Sequence, residues 1–308
     1  MATFKENQKK RIDGADDKKR KVIGEDEVRE ASERLKEYQR SKASIDGKAT
    51  SNQEWWRLRH WNQTSKANDA EEKSVSAWLF NSIINKHADI MDNFPKPNIL
   101  PRQIDDEQDA KSLSEIVPVV LEQNKYRRTY SKSAYDFIVD GACVTGVFWD
   151  NSRNNGMGDV TIKAIDVHNI YWEPGKEDIQ DCKEIFTIST VKNEDLIKIY
   201  PEMSGRTGKD FTKVEYIHDD YRDDSDESVV VDWYYKVQKI EQVDVAEGMT
   251  LTRPVTVLHY CKFCNGVVLY ASENEPGMED GFYHHGKYPF VVKQLFPIKD
   301  SPWGFGYV

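Results

Sequence analysis

Hydrophobic positions along the first half of the chain recur at helical spacing. In "EDEVREASERLKEYQRS" Val28, Ala31, Leu35 and Tyr38 share one face, with acids early and bases late, the order a helix dipole favours. "SVSAWLFNSIINKHADIMDNFPKPNILPR" sets Val75, Trp78, Leu79, Ile83, Ile90 and Met91 at spacings of three, four and seven. That pattern predicts an amphipathic helix, ended by Pro95 and Pro97. A third helix is expected from about Glu107 towards Asn124, bent or restarted at Pro118. A fourth covers "YRRTYSKSAYDFIVDG" and takes Gly141 as its C-terminal cap.

After Gly141 the period changes from helix to strand. "ACVTGVFWD" is apolar on both faces and is expected to be a buried strand; "NSRNNGMG" is a turn. "DVTIKAID" alternates Val160, Ile162 and Ala164 inward against Thr161 and Lys163 outward. "HNIYWEPG" reads as a short strand stopped by Pro174-Gly175, "KEIFTISTV" as another, and "NEDLIKIYPE" as a short helix capped by Asn193. "VVVDWYYKVQKI" and "RPVTVLHYCKF" return to strand. Asn265-Gly266, flanked by β-branched and aromatic residues, predicts a two-residue hairpin turn. Cys264 is then expected opposite Val267, and Cys261 opposite Tyr270. The fold class expected is α+β: N-terminal helices followed by a mostly antiparallel, β-rich region.

Composition changes the picture in one respect. A chain of 308 residues that is 38% hydrophobic and 31% charged, yet holds 8 Trp, suggests modest cores joined by broad interfaces. A formal net charge of −10 argues against a tight, non-specific binder of phosphate backbone. No apolar run reaches the roughly 20 residues of a membrane span, and no membrane partner is expected. Four scattered cysteines, Cys143, Cys182, Cys261 and Cys264, are too few for a disulfide scaffold and predict a reducing compartment.

Candidate chemistry is sparse. Cys261 and Cys264 have the spacing of half a zinc site, and a zinc-ribbon nucleic-acid-binding module built on them is the alternative function. However, residues three apart on a strand point to opposite faces, and the chain has no second Cys-x-x-Cys and no His-x₃₋₅-His. The acidic run 215–228, with Glu215, Asp219, Asp220, Asp223, Asp224, Asp226 and Glu227, lacks the glycine and closing glutamate of an EF-hand and reads as a solvated loop. Neither a phosphate loop nor a Gly-x-Ser-x-Gly elbow occurs. The reading is of a protein that is not an enzyme and carries no cofactor or metal. In "SNQEWWRLRHWNQ" Trp55, Trp56 and Trp61 stand among Arg57, Arg59 and His60, a composition typical of protein-interface anchors. With Trp303 they form the candidate subunit-contact set.

The run "YDFIVDGACVTGVFWDNSRNNGMGDVTIKAIDVHNIYWEPGKEDIQDCKEIFTIST" resembles the portal, or head-to-tail connector, proteins of tailed bacteriophages, those of short-tailed phages in particular. "REASERLKEYQRSKA" with "WWRLRHWN", "NKHADIMDNFPKPNILPR" and "KYPFVVKQLFPIKDSPWGFG" are similar to the same family in the same order, over about residues 25–308. Charge alternation with little apolar content marks 1–24 as a flexible charged arm, and periodicity marks 25–141 as a helical region. The resemblance implies a wing-like β-rich region over 142–300 and a run-in over 301–308 to a stem and clip that this chain lacks. The chain is accordingly expected to be a fragment holding mainly the outer wing. By the same resemblance it forms a dodecameric ring at one capsid vertex of the virion, after synthesis in the host cytoplasm. Double-stranded DNA would pass through without sequence-specific binding, with the major capsid protein, terminase and tail or adaptor proteins as partners.

Overall fold

The computed structural model describes residues 23–59, 76–211, 225–246, 249–278 and 280–308. The N-terminal arm to residue 22, Val75, His60 and Trp61 lie outside the described residues, as does the acidic run up to Asp224. Helix α1, Glu25–Trp56, is one unbroken element that absorbs both the first predicted helix and the start of the Trp-Arg segment. Three further helices follow: α2 (Trp78–Asp92), α3 (Glu107–Gln123) and α4 (Tyr126–Val139). α3 continues through Pro118 as one helix, without the restart that was one of the two expectations there.

Beyond α4 the chain is antiparallel sheet. Strands β1 (Ala142–Asp150), β2 (Asp159–Ile165) and β8 (Phe290–Gln294) form a three-stranded sheet in the order β2-β1-β8. β3 (Ile170–Trp172), β4 (Glu184–Lys192), β5 (Glu227–Ala246), β6 (Met249–Cys264) and β7 (Val267–Ala271) form a five-stranded sheet in sequence order. The short β9 (Phe296–Pro297) and β10 (Gly304–Phe305) pair with each other, and α5 (Asn193–Ile199) follows β4. The α+β class read from the sequence is the class found.

Period-two patterning explains the layering. Along β5, Val229, Val231, Trp233 and Tyr235 face α1 and pack with its Val28, Leu35 and Tyr38. Tyr234, on the other face, packs with Val144 of β1 and Phe290 of β8. The five-stranded sheet is therefore the middle layer, with α1 on one side and the three-stranded sheet on the other. A separate small core joins α2 and α4 through Ile83, Ile138 and Val139.

Several local expectations are corrected. Trp78, placed on the apolar face of α2, is 83% exposed, because α2 buries little besides Ile83. β1 is buried only in its first half: Val147 and Trp149 emerge on its far end. Thr161, expected outward, is buried, since its register partner is Phe148 and it shares with Phe148 and Ile165 the face turned to the five-stranded sheet. Asn193 is the first residue of α5 and not its cap; its Oδ1 accepts a hydrogen bond from the Ser228 hydroxyl at 2.5 Å.

The hairpin at Asn265-Gly266 forms as predicted, with φ of +50° and +73° at its two central residues. Cys264 pairs with Val267, but Cys261 pairs with Ala271 and not with Tyr270. A register shift between Lys262 and Phe263 inserts Leu269 as an extra residue, moving every later partner by one.

Candidate functional site

The hydrophobic face of α1 continues beyond the predicted stretch. Val28, Ala31, Leu35, Tyr38, Lys42, Asp46 and Ala49 are all buried. The last turns therefore bring a lysine and an aspartate into the interior, where charge survives only if paired. Lys42 Nζ lies 2.7 Å from Asp46 Oδ1 and donates to the Val167 carbonyl. It also sits 4.5 Å above the ring of Tyr171. Burial lowers the Lys42 pKa, with Asp46 opposing the shift.

The turn between β2 and β3 meets this pair. Asp166 Oδ1 accepts from the backbone N–H of His168 at 2.9 Å and lies 2.8 Å from its Nδ1. The His168 Nε2 reaches Thr50 Oγ1 of α1 at 3.3 Å. Burial works against the His168 imidazolium, but the hydrogen bond and charge of Asp166 outweigh it and raise the pKa. Asp166 is lowered: its burial is overcome by the two hydrogen bonds from His168.

Next to this turn, the end of α4 carries two more interior acids. Burial pushes Asp140 up to about 8, with Asp136 adding to the rise, while Gln53 Nε2 donates to Asp140 Oδ2 at 3.0 Å and opposes it. Burial likewise raises Asp136 to about 6, against the pull of Lys132. Together with Arg57 these groups line a cavity of about 150 Å³. Three of the hydrogen bonds here tie elements together: Lys42 to the Val167 carbonyl and Thr50 to His168 join α1 to the β2–β3 turn, and Gln53 to Asp140 joins α1 to the end of α4.

The candidate contact residues divide between interior and surface. Trp303 is buried; its ring stacks on Trp172 with centroids 6.0 Å apart, and its Nε1 donates to the Asp140 carbonyl at 2.9 Å. Trp56 stacks between Phe80 of α2 and Tyr135 of α4, at 6.0 and 5.8 Å. Arg57 lies 5.4 Å over the Trp56 ring. Arg59 Nε is 3.8 Å from Glu54 Oε2. Trp55 is 45% exposed. The described members of the cluster read from the sequence are thus brought together where α1 meets α2 and the C-terminal half of α4, and Trp303 fastens the same end of α4 at Asp140.

Sequence reading missed the interior charges of Lys42, Asp46, Asp136, Asp140 and His168. A signal existed for two of them: Lys42 and Asp46 extend the three-and-four spacing of the apolar face of α1. No comparable pattern marks Asp140, whose burial depends on the C-terminal segment folding back across it.

The cysteine pair is resolved by its position. Cys261 belongs to the core under α1, and Cys264 to a separate cluster with Leu196 and Met203. Burial raises their thiols to about 12 and about 11, and the two lie in separate clusters of the interior. The zinc-ribbon alternative finds no support in this geometry. Among the described residues no group of three His, Cys, Asp or Glu side chains is arranged to hold a metal ion, and no helix is long and apolar enough to cross a membrane.

The described residues define an architectural α+β protein whose buried charges and indoles fasten helices to sheets. The family model of the phage P22-like portal protein matches residues 33–293, and the chain belongs to that family. It is a family of structural proteins and not of enzymes, and membership implies a component of the phage virion. A search among curated proteins finds no match to the chain.

Proposed function

We propose that this portal-family chain is the wall subunit of a dodecameric ring at one capsid vertex. Double-stranded DNA enters and leaves through that ring, terminase docks on it during packaging, and the tail or adaptor proteins replace terminase afterwards. The major capsid protein surrounds it. The observation that carries this reading is the family match over most of the chain.

Physical features support it. A conduit functions by not holding phosphate, because each neutralised phosphate adds salt-dependent affinity that would slow a sliding duplex. A net charge of −10 suits that role. In this reading residues 25–141 form the helical region and 142–300 the wing. Trp55, Trp56, Arg57, Arg59 and Trp61 contribute to subunit contacts, while Trp303 acts from within the protomer by fixing the strand and segment that follow it.

Electron microscopy of the full-length gene product tests the proposal directly. Rings with a central hole are the expected result. A product that stays solitary both in solution and in virus particles would remove it.

A further inference from the structure

Helix α3 is the least covered long element among the described residues. Ala110 is its single buried side chain. Leu113, Ile116 and Val119, three residues apart, are 47%, 54% and 51% exposed, and Ile104 just ahead of the helix is 85% exposed. Acids surround this apolar strip at its leading end: Asp105, Asp106, Glu107 and Asp109. Asp109 precedes Leu113 by one turn and so shares its face.

The other end of α3 has the opposite character. There the helix borders a groove of about 870 Å³ with an apolar floor that includes Met91, Phe94 and Leu121. Lys96, Lys125, Arg127 and Arg128 line it, against Glu122 as the one carboxylate. The groove is held open by geometry: the Ile99 backbone N–H donates to Ser114 Oγ at 3.2 Å, and the Ser114 hydroxyl donates to the Ile99 carbonyl at 3.3 Å. Those bonds fix the segment after Pro97 along α3. Beyond the groove, Asn124 Nδ2 donates to the Val160 carbonyl at 3.0 Å and fastens this end to β2.

We propose that the acidic, apolar leading end of α3 in one copy seats in the basic, apolar groove at the trailing end of α3 in a second copy of this chain. The occupant is argued from complementarity: acids and the exposed Ile104 lead into a strip of aliphatic side chains along α3, and a cation-rimmed apolar groove borders the helix's trailing end. Burying both in one contact removes aliphatic surface from water and pairs unlike charges at the rim. Two unlike patches on the same chain make a head-to-tail contact, which closes into a ring when the rotation between copies allows it. The inference rests on the ring reading and names the surface that builds it.

The test uses the full-length product with two exposed charges reversed, Asp109→Lys on the strip and Arg128→Glu on the groove. Ring yield is read by electron microscopy and sedimentation, with circular dichroism melts to confirm that each variant folds. Each single variant is expected to lower ring assembly about tenfold through like-charge contact, and the double variant to restore it, since the reversed charges again meet their opposites. Wild-type rings together with undiminished single variants overturn this surface and leave the ring reading standing. Rings of normal yield that fail to enter capsids assign the groove to another virion protein and overturn it too. Weakened single variants without rescue in the double also overturn it. A wild type that forms no rings removes both readings.

Discussion

The Nε1 of Trp303 donates to the backbone carbonyl of Asp140 at 2.9 Å, joining the segment after β9 to the corner where α4 becomes β1. Two more bonds strengthen the seam: the Leu295 N–H donates to the Gly141 carbonyl at 2.8 Å, and the Tyr307 N–H to the Ile138 carbonyl at 2.9 Å. Gly141 has φ +85°, and a Cβ there would stand 2.2 Å from the carbonyl carbon of Phe305. The corner is therefore shaped by the segment that crosses it.

From this seam follows a ranking of substitutions. Trp303→Phe keeps most of the stacking on Trp172 but leaves the Asp140 carbonyl without its donor, a loss of about 1–3 kcal/mol. Trp303→Ala adds a cavity and is expected to cost about 3–5 kcal/mol. Gly141→Ala is expected to exceed Trp303→Phe, because left-handed backbone and a backbone clash act together. Urea unfolding midpoints give the order. A Gly141→Ala protein as stable as wild type would show that the crossing segment is not seated here.

Asp140 makes stability depend on pH. Its carboxyl has a folded-state pKa of about 8, against an ordinary value of 3.8. Between those values the folded chain keeps a proton that the unfolded chain releases. The contribution to stability is thus full below about 3.8 and is lost as pH rises towards 8, at up to about 1.4 kcal/mol per unit. Asp140→Asn removes the ionisation. Melting curves from pH 4.5 to 8.5 are expected to show the variant gaining on wild type as pH rises, and parallel profiles would rule out a buried neutral Asp140.

Glu184 clasps α1 to the middle sheet. One carboxylate oxygen lies 2.7 Å from Arg34 Nε and 3.1 Å from the Tyr38 hydroxyl, and the other accepts from Trp233 Nε1 at 2.9 Å. Glu184→Ala strands the buried donors and is expected to cost about 3–5 kcal/mol. Glu184→Gln, which keeps an acceptor for one or two of them, should cost less. Equal losses for the two would mean that the negative charge of the carboxylate, and not its volume or its capacity to accept, governs the site.

Cys261 distinguishes a packed thiol from a metal ligand. It is wholly buried in the core beneath α1. Cys261→Ala is expected to be mild, whereas Cys261→Ser buries a hydroxyl and should cost about 1–3 kcal/mol. Stoichiometric zinc in the purified protein, with unfolding of both variants, would reverse this assignment.

Where a segment's own pattern matched its packing, the sequence was a sufficient guide. The one-sided spacing of Val28, Ala31, Leu35 and Tyr38 located the inner face of α1, and Asn265-Gly266 located the hairpin, because helical period and positive-φ preference are local properties. The order of strands after Gly141 was legible for the same reason, as was the resemblance to the portal family.

What lay beyond reach depended on distant partners. Thr161 turned inward because its face of β2 packs toward the five-stranded sheet, Trp78 stayed exposed because α2 buries little besides Ile83, and a single extra residue in β7 displaced Cys261 from Tyr270 to Ala271. The interior charges of Asp140 and His168 likewise arise only when α1, α4, the β2–β3 turn and the C-terminal segment converge. By itself the sequence determined which stretches coil, which extend and to which family they belong. Tertiary structure alone decided which polar groups leave water, because burial is a property of the surroundings that a residue's neighbours in sequence do not carry.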